Sequence, residues 1–248
     1  MIEPAAYGYF APQALDQQVS WGQPQGWTLV LTPFQKRARQ ALVESPFFGA
    51  FSDDALRWVR RSSLRKGDVL FEKGEPSDAI FGLVGGQVKL ASEGHDGRQI
   101  SFGIVGPGEL VGELGITSGA PRPMTAVALA HSELAVLPRR DLEPLLQRQP
   151  ELRDALAGAS AEAATRLAER IEDAAFLSIE DRVEKALVDF AARFGERLES
   201  GGLCVKLRQQ DLADVLGLSR ESVSKVLTSP SMRGRFELGR GRIVVHGS

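Results

Sequence analysis

Apolar residues recur at helical spacing towards the C-terminal end of the chain. Leu212, Ala213, Val215 and Leu216 form one stripe, and Val223, Val226 and Leu227 form a second. Gly217 falls where the first helix must stop, because glycine enters the left-handed region without steric cost. Leu218 fills the angle, and Ser219 is placed to cap a second helix by accepting backbone N–H bonds. The pattern over residues 207–227 therefore predicts two short amphipathic helices joined by a tight turn. The second leaves Arg220, Glu221, Ser224 and Lys225 on its polar face. An exposed Arg-Glu in the first turn, with a Lys one turn later, suits a DNA major groove. There Arg and Lys donate to guanine O6 and N7, and Glu accepts from cytosine N4. A charged helical hairpin on a larger domain would show the same periodicity.

The residues that follow alternate like a β-hairpin: Phe236-Glu237-Leu238, then Gly239-Arg240-Gly241, then Arg242-Ile243-Val244-Val245. A basic hairpin behind a recognition helix is a wing that can touch backbone phosphate. From Lys206 onward there are eight cations against four anions, whereas the whole chain has a net charge of −2. Positive charge is thus concentrated where phosphates would lie, as counterion release requires. An ordinary solvated surface accounts less well for that asymmetry.

Upstream the periodicity changes twice. Residues 63–138 read as short β-prone runs at 69–71, 79–84, 87–91, 99–105, 125–129 and 134–137, punctuated by Gly, Pro and Asp. Strands this short and this frequent predict a closed or sandwiched antiparallel β domain. After Pro150 the period becomes helical: Leu156, Ser160, Ala163, Leu167, Ile171 and Ala174 recur at steps of three and four. A narrow stripe on a long helix predicts either a two-helix dimer seam or packing on the chain's own β domain. Phe176-Leu177 reads as a hinge. Ser178 then starts a further helix through Val183, Leu187, Phe190 and Phe194, which Gly195 stops. The first forty or so residues are rich in Gln, Gly, Pro and Ala, with Tyr7, Tyr9, Phe10, Trp21 and Trp27 at no clear period. They read as a flexible extension, or as an arm whose aromatics dock on the body or a partner.

Composition narrows the chemistry. Of 248 residues, 43% are hydrophobic and 25% charged, which is ordinary for a globular protein. Cys204 is the only cysteine, so neither a disulfide framework nor a thiolate cluster is available. No leader-like or membrane-spanning apolar run is seen, and a cytoplasmic location is expected. The chain carries no GxxxxGK, HExxH or GxSxG motif, and it is read as a non-enzyme. Glu109 and Glu113, four residues apart, are better explained as a turn residue and a ligand-binding residue than as an acid/base pair.

Taken with their order along the chain, several motifs resemble those of the cyclic-AMP receptor protein / fumarate–nitrate regulator (CRP/FNR) family. They are Lys66-Gly67-Asp68, Glu72-Lys73-Gly74-Glu75, Gly86-Gln87-Val88-Lys89-Leu90, Gly106-Pro107-Gly108-Glu109, Gly112-Glu113-Leu114-Gly115, Pro121-Arg122, Ala175-Phe176-Leu177 and Ser219-Arg220-Glu221-Ser222-Val223-Ser224. The resemblance implies an α+β fold. An extension over 1–41 would precede an antiparallel β-roll or jelly-roll of the cyclic-nucleotide-binding type over 42–149. A dimerisation helix and hinge over 150–177 and a winged helix-turn-helix over 178–248 would follow. It implies a homodimer that binds double-stranded DNA and works with RNA polymerase. Its seam would include Leu156, Ala163, Leu167, Ile171 and Ala174.

By the same resemblance Arg220, Glu221, Ser224 and Lys225 read bases of a TGTGA-like half-site, with Lys225 standing where an arginine is usual. Gln209, Gln210 and Ser219 match phosphate-touching positions, and Arg240 and Arg242 on the wing join them. Pro230 replaces an apolar residue of the recognition helix, so that helix is expected to end near Ser229.

The effector site implied comprises Gly112, Glu113, Leu114, Arg122, Pro123, Met124, Leu167 and Ala168. Glu113 would take a ribose hydroxyl and Arg122 a cyclic phosphate, or the two would simply pair with each other. Pro123 supplies neither hydroxyl nor N–H, Met124 adds bulk, and Leu167 and Ala168 stand where a Thr-Ser pair reads adenine. Several hydrogen bonds worth about 1–3 kcal/mol each would be missing, which argues against tight cyclic-AMP binding. The remaining expectations are no effector, a cyclic nucleotide held differently, a cyclic dinucleotide or another small molecule. Iron–sulfur sensing needs more cysteines, and His95, His131 and His246 read as surface residues, not haem ligands. A regulatory module whose output is not DNA binding is the alternative.

Overall fold

The protein was described from a computed structural model, which covers residues 31–45, 47–94, 99–199 and 201–246. These residues form two compact units. The first comprises the chain up to Lys89 with Pro107–Ala161, and the second comprises Leu90–Gly106 with Glu162–Ser248.

The first unit opens with α1 (Pro33–Ala41), set by a capping box. Thr32 Oγ1 accepts from Gln35 N at 3.2 Å, and Gln35 Oε1 accepts from Thr32 N at 3.0 Å. Phe34, Ala38 and Leu42 lie along one face and enter a core with Phe47, Phe48 and Phe51. Residues 33–41 therefore belong to the body, whereas an extension up to residue 41 was expected. The short period over 34–42 is a core-facing helix. The aromatics at 7, 9, 10, 21 and 27 lie outside the described residues.

After α2 (Asp53–Leu56) come β1 (Arg60–Leu64), β2 (Val69–Phe71), β3 (Ala79–Gly85), β4 (Val88–Glu93), β5 (Gln99–Val105) and β6 (Leu110–Val111). The short helix α3 (Glu113–Ser118) is followed by β7 (Thr125–Ala128), β8 (Ser132–Pro138) and α4 (Arg139–Arg148). The strands form two four-stranded sheets, ordered β1-β8-β3-β6 and β2-β7-β4-β5. Every predicted strand is present. β1 escaped prediction because its sequence, RRSSL, is polar; pairing with β8 holds it in the sheet.

The long helix α5 (Pro150–Phe176) has the predicted limits. Its stripe divides. Leu152 and Leu156 are buried in the core with Phe47 and Leu142, so Leu156 belongs to its own chain's interior and not to a dimer seam. Ala163 is also buried. Further along, Leu167 is half-buried and Ala174 exposed, and Ile171 is 72% exposed.

In the second unit α6 (Ile179–Phe194) is capped by Ser178, whose Oγ accepts from Asp181 N at 3.1 Å. It buries Val183, Leu187 and Phe190. Gly195 ends it without a left-handed turn. Its φ is −73°, and a Cβ there would fall 2.3 Å from the Ala191 carbonyl oxygen and 2.8 Å from Leu203 Cβ. Glycine is needed for close approach. A three-part contact seats β5 in this unit. Arg193 Nη2 donates to the Ile104 carbonyl at 2.9 Å, the Phe194 ring lies where a Gly106 Cβ would be, and Arg170 covers Gly103. Burial lowers the Arg170 pKa, and Arg193 pushes it the same way.

The chain ends with β9 (Glu196–Arg197), β10 (Leu203–Val205), α7 (Gln209–Leu216), α8 (Arg220–Leu227), β11 (Phe236–Gly239) and β12 (Arg242–Val245). Its third sheet has the order β11-β12-β10-β9. Two helices followed by this hairpin make a winged helix-turn-helix.

Candidate nucleic-acid interface and effector pocket

The turn between α7 and α8 is built as its sequence requires. Gly217 has φ +64°, and its N–H and that of Leu218 close the end of α7. Ser219 Oγ accepts from Ser222 N at 3.1 Å, capping α8. Val223, Val226 and Leu227 are buried, which turns Arg220, Glu221 and Lys225 outward, with Ser224 half-buried. Among the described residues, the side chains of Arg220, Glu221, Lys225, Arg240 and Arg242 have no hydrogen-bond or ion-pair partner. Other cations of this unit are neutralised internally: Arg235 by Glu184, Lys206 by Glu196 and Arg208 by Asp211. Among the described residues, the recognition helix and the wing thus carry four cations without an internal partner: Arg220, Lys225, Arg240 and Arg242.

Two of the expected phosphate contacts are engaged within the protein. Gln210 donates to Asp214 Oδ1 at 2.7 Å, and Ser219 serves as the cap. Gln209 is half-buried at the start of α7. Arg240 occupies the tip of the wing, where Gly239 pairs with Arg242 and Gly241 has φ +72°. The recognition helix ends at Leu227 with Thr228 as its C-cap, two residues earlier than Pro230 alone implied. Thr228 Oγ1 donates back to the Ser224 carbonyl at 2.9 Å and helps close that end. Pro230 then opens a 3-10 turn that drives Met232 into the core, so the packing behind the wing is kept.

The residues expected to hold an effector lie around the turn before α3 and on α5. Gly112, at φ +90°, precedes α3, and a Cβ there would fall 2.4 Å from Arg122 Nη1. Arg122 is 2% exposed. Its Nη1 donates to the Gly112 carbonyl at 3.1 Å and its Nη2 to the Ala79 carbonyl at 2.7 Å. Its guanidinium carbon lies 4.2 Å from the Phe71 ring centre and 5.5 Å from that of Phe81. Desolvation lowers its pKa, opposed by Asp78, Glu75 and the buried Glu113. Arg122 Nε is buried with no hydrogen-bond partner. Pro123 is exposed and Met124 buried. A cyclic phosphate would have to share Arg122, whose Nη1 and Nη2 each already give one N–H to a backbone carbonyl, and the next residue has no N–H to offer. On α5, Leu167 is half-buried and Ala168 exposed, and neither brings a polar side chain.

His131 is exposed, and His246 lies 3.8 Å from Glu237; His95 lies outside the described residues. Among the described residues, no group of three or more His, Cys, Asp or Glu is placed to hold a metal ion. Among them also, no helix is long and apolar enough to cross a membrane.

Comparison with known proteins places these observations. The family model of the cyclic nucleotide-binding domain matches residues 61–149, and that of the Crp-like helix-turn-helix domain matches residues 181–247. The chain is 31% identical over 185 residues to the CRP-like cAMP-activated global transcriptional regulator of Mycobacterium tuberculosis, spanning 74% of this chain and 82% of that protein. It is 32% identical over 209 residues to the cyclic AMP receptor protein of Thermus thermophilus, spanning 81% and 92%. Among solved structures, the c-di-GMP responsive global regulator CLP of Xanthomonas campestris shares the fold. Its TM-score is 0.68 at 22% identity, over 79% of this chain and 100% of that one.

Proposed function

The chain belongs to the CRP/FNR family of DNA-binding transcription regulators, and we propose that it acts as a homodimer on a palindrome related to TGTGA-N6-TCACA without requiring cyclic AMP. The observation that carries this reading is the outward face of α8. Arg220 and Lys225 stand exposed and unpaired above a buried Val223, Val226 and Leu227. Arg220 and Lys225 donate to guanine, Glu221 accepts from cytosine, and Ser224 lies beside them. Gln209, Gln210, Ser219, Arg240 and Arg242 flank them towards the phosphates, Ser219 and Gln210 after releasing their internal partners. Two such helices, about 34 Å apart, would enter successive major grooves on one face of the duplex.

The dimer is supported by the distal half of α5, where Ile171 and Ala174 are exposed beyond the part of the helix that its own chain buries. RNA polymerase is the expected protein partner, in the cytoplasm. Control, where present, comes from a ligand other than cyclic AMP, such as a cyclic dinucleotide. Such a ligand shifts the dimer only by its differential affinity for two placements of the winged helices.

The test is fluorescence anisotropy of a labelled TGTGA-N6-TCACA duplex titrated with protein at fixed salt, with and without cyclic AMP. Tight binding in both titrations is expected. Binding that appears only with cyclic AMP would overturn the effector part of the reading, and loss of preference over a scrambled duplex would overturn the half-site.

A further inference from the structure

We infer that Lys225 is a covalent switch, whose ε-amine takes an acyl group from an acyl phosphate or an acyl thioester and thereby loses its hold on a base. This rests on the DNA-binding reading above, which sets Lys225 against a guanine. Lys225 stands exposed in the last turn of α8, a helix that buries Val223, Val226 and Leu227. Among the described residues, no carboxylate accepts from it. Arg220 on the same helix, and Arg240 and Arg242 on the wing, are exposed and unpaired as well. Acyl phosphates and coenzyme A thioesters are anions, so this field gathers them at the recognition surface.

The other lysines are held differently. Lys185 Nζ donates to Asp173 Oδ1 at 2.6 Å, and Lys206 Nζ donates to Glu196 Oε1 at 2.6 Å. Each hydrogen bond raises the pKa of its lysine, so that nitrogen keeps its proton and is a poor nucleophile. Lys89 is buried, and Lys73 has an internal partner. Lys36 and Lys66 are exposed and without a partner. The arginines near Lys36 on α1 are neutralised, however, Arg37 by Glu133 and Arg39 by Asp53. An anionic donor meets less attraction there than at the recognition helix.

The step is an acyl transfer. The deprotonated Lys225 amine attacks the acyl carbonyl carbon and a C–N bond forms. The C–O bond to phosphate, or the C–S bond to coenzyme A, breaks. Phosphate or thiolate leaves with the electron pair, and the amine proton passes to solvent. An ammonium with three donors thus becomes a neutral amide with one N–H and one carbonyl oxygen. That oxygen would meet guanine O6 and N7, which are themselves acceptors. An arginine at this position would stay protonated and unreactive, so lysine is the base-reading cation that can be silenced.

The full-length protein is incubated with acetyl phosphate, and separately with acetyl-coenzyme A, each with and without the palindromic duplex. Peptide mass spectrometry then follows acetylation of every lysine over time. Lys225 is expected to react several times faster than Lys36 and Lys66, and faster still than Lys185 and Lys206. The duplex should slow Lys225 and leave the other lysines unchanged. Treated protein should lose about tenfold in duplex affinity, the worth of one base contact, while Lys225→Arg treated alike keeps the affinity it had. Reaction with one donor and not the other supports the site and names the source of the acyl group. Lys225 reacting no faster than Lys36 and Lys66 would overturn the switch, as would acetylated protein that binds the duplex unchanged. A loss of affinity that Lys225→Arg shares would trace to another lysine and overturn it too. These three outcomes leave the DNA-binding reading intact. Untreated protein that shows no preference for the palindrome would overturn that reading, and the switch with it.

Discussion

The guanidinium carbon of Arg122 rests 4.2 Å from the centre of the Phe71 ring, with one N–H of each terminal nitrogen given to the carbonyls of Ala79 and Gly112. Residue 122 thus works as a strut that ties β3 to the turn before α3. Arg122→Ala would leave two buried carbonyls without donors at about 1–3 kcal/mol each, besides the lost cation–π contact of about 0.5–2 kcal/mol. A loss of roughly 3 kcal/mol in urea denaturation is expected. DNA affinity of the folded protein should change little. A purely ligand-binding arginine would show the opposite pattern, with stability untouched.

The same arrangement predicts the response to ligand. A ligand that binds only the folded state stabilises it by about 2.7 kcal/mol at one hundred times its Kd. Because Arg122 already holds two carbonyls, Pro123 has no N–H, and Leu167 and Ala168 bring no polar side chain, millimolar cyclic AMP should leave the thermal midpoint within about 1 °C of the unliganded protein. A rise of several degrees would mean that Arg122 releases its two carbonyls easily.

The contrast between these two sites also explains how much was legible beforehand. The helix-turn-helix was readable because its determinants are local: Gly217 must reach positive φ, Ser219 must cap, and the apolar spacing repeats within each helix. The longer β strands were readable from alternation and turns, except β1, whose polar sequence is strand only because β8 pairs with it; β6, β9 and β10, of two or three residues, are too short to show a period. Long-range facts were not readable. The period on α5 is continuous, yet Leu156 is buried in its own core and Ile171 is exposed, a difference made by what lies opposite. Gly195 was readable as a stop, but not its need for close approach to Leu203 and Ala191, which are brought there by the fold. The family resemblance marked Arg122 as an anion ligand or a partner of Glu113. Only the carbonyls of Ala79 and Gly112 reveal its structural role.

Because Ile171 is 72% exposed on α5, replacing it costs the isolated chain almost nothing. In a dimer seam, a buried glutamate there would be an unpaired charge, worth several kcal/mol against association. Ile171→Glu should therefore shift the protein to monomer in sedimentation equilibrium while leaving the helical circular dichroism intact. An unchanged dimer would place the seam elsewhere on the surface.

Gly217 separates backbone strain from packing. A Cβ there meets nothing within 4 Å, so Gly217→Ala adds no clash, only the cost of holding φ +64° with a side chain. That cost is about 1–2 kcal/mol, and Asn, which tolerates this conformation better, should cost less. Urea midpoints ordered Gly, Asn, Ala from highest to lowest would confirm the origin of the turn.

Lys225 offers the sharpest test of base reading. It is exposed one turn beyond Arg220, in the last turn of α8, and has no partner to displace. As an ammonium it can donate to guanine O6 or N7 from many directions, so it favours guanine without enforcing it. A guanidinium at the same position can engage both atoms at once, and a good bidentate pair discriminates by about 1–3 kcal/mol. Lys225→Arg should therefore bind the TGTGA palindrome more tightly and penalise a substituted guanine by a further factor of about ten. The Arg220→Ala/Lys225→Ala double variant should keep its fold and its dimer but lose the preference over scrambled DNA. Competition anisotropy with each single-base variant measures both effects. If the double variant still prefers the palindrome, α8 is not the helix that reads it. If Lys225→Arg merely raises affinity equally for all sequences, residue 225 faces phosphate and not a base.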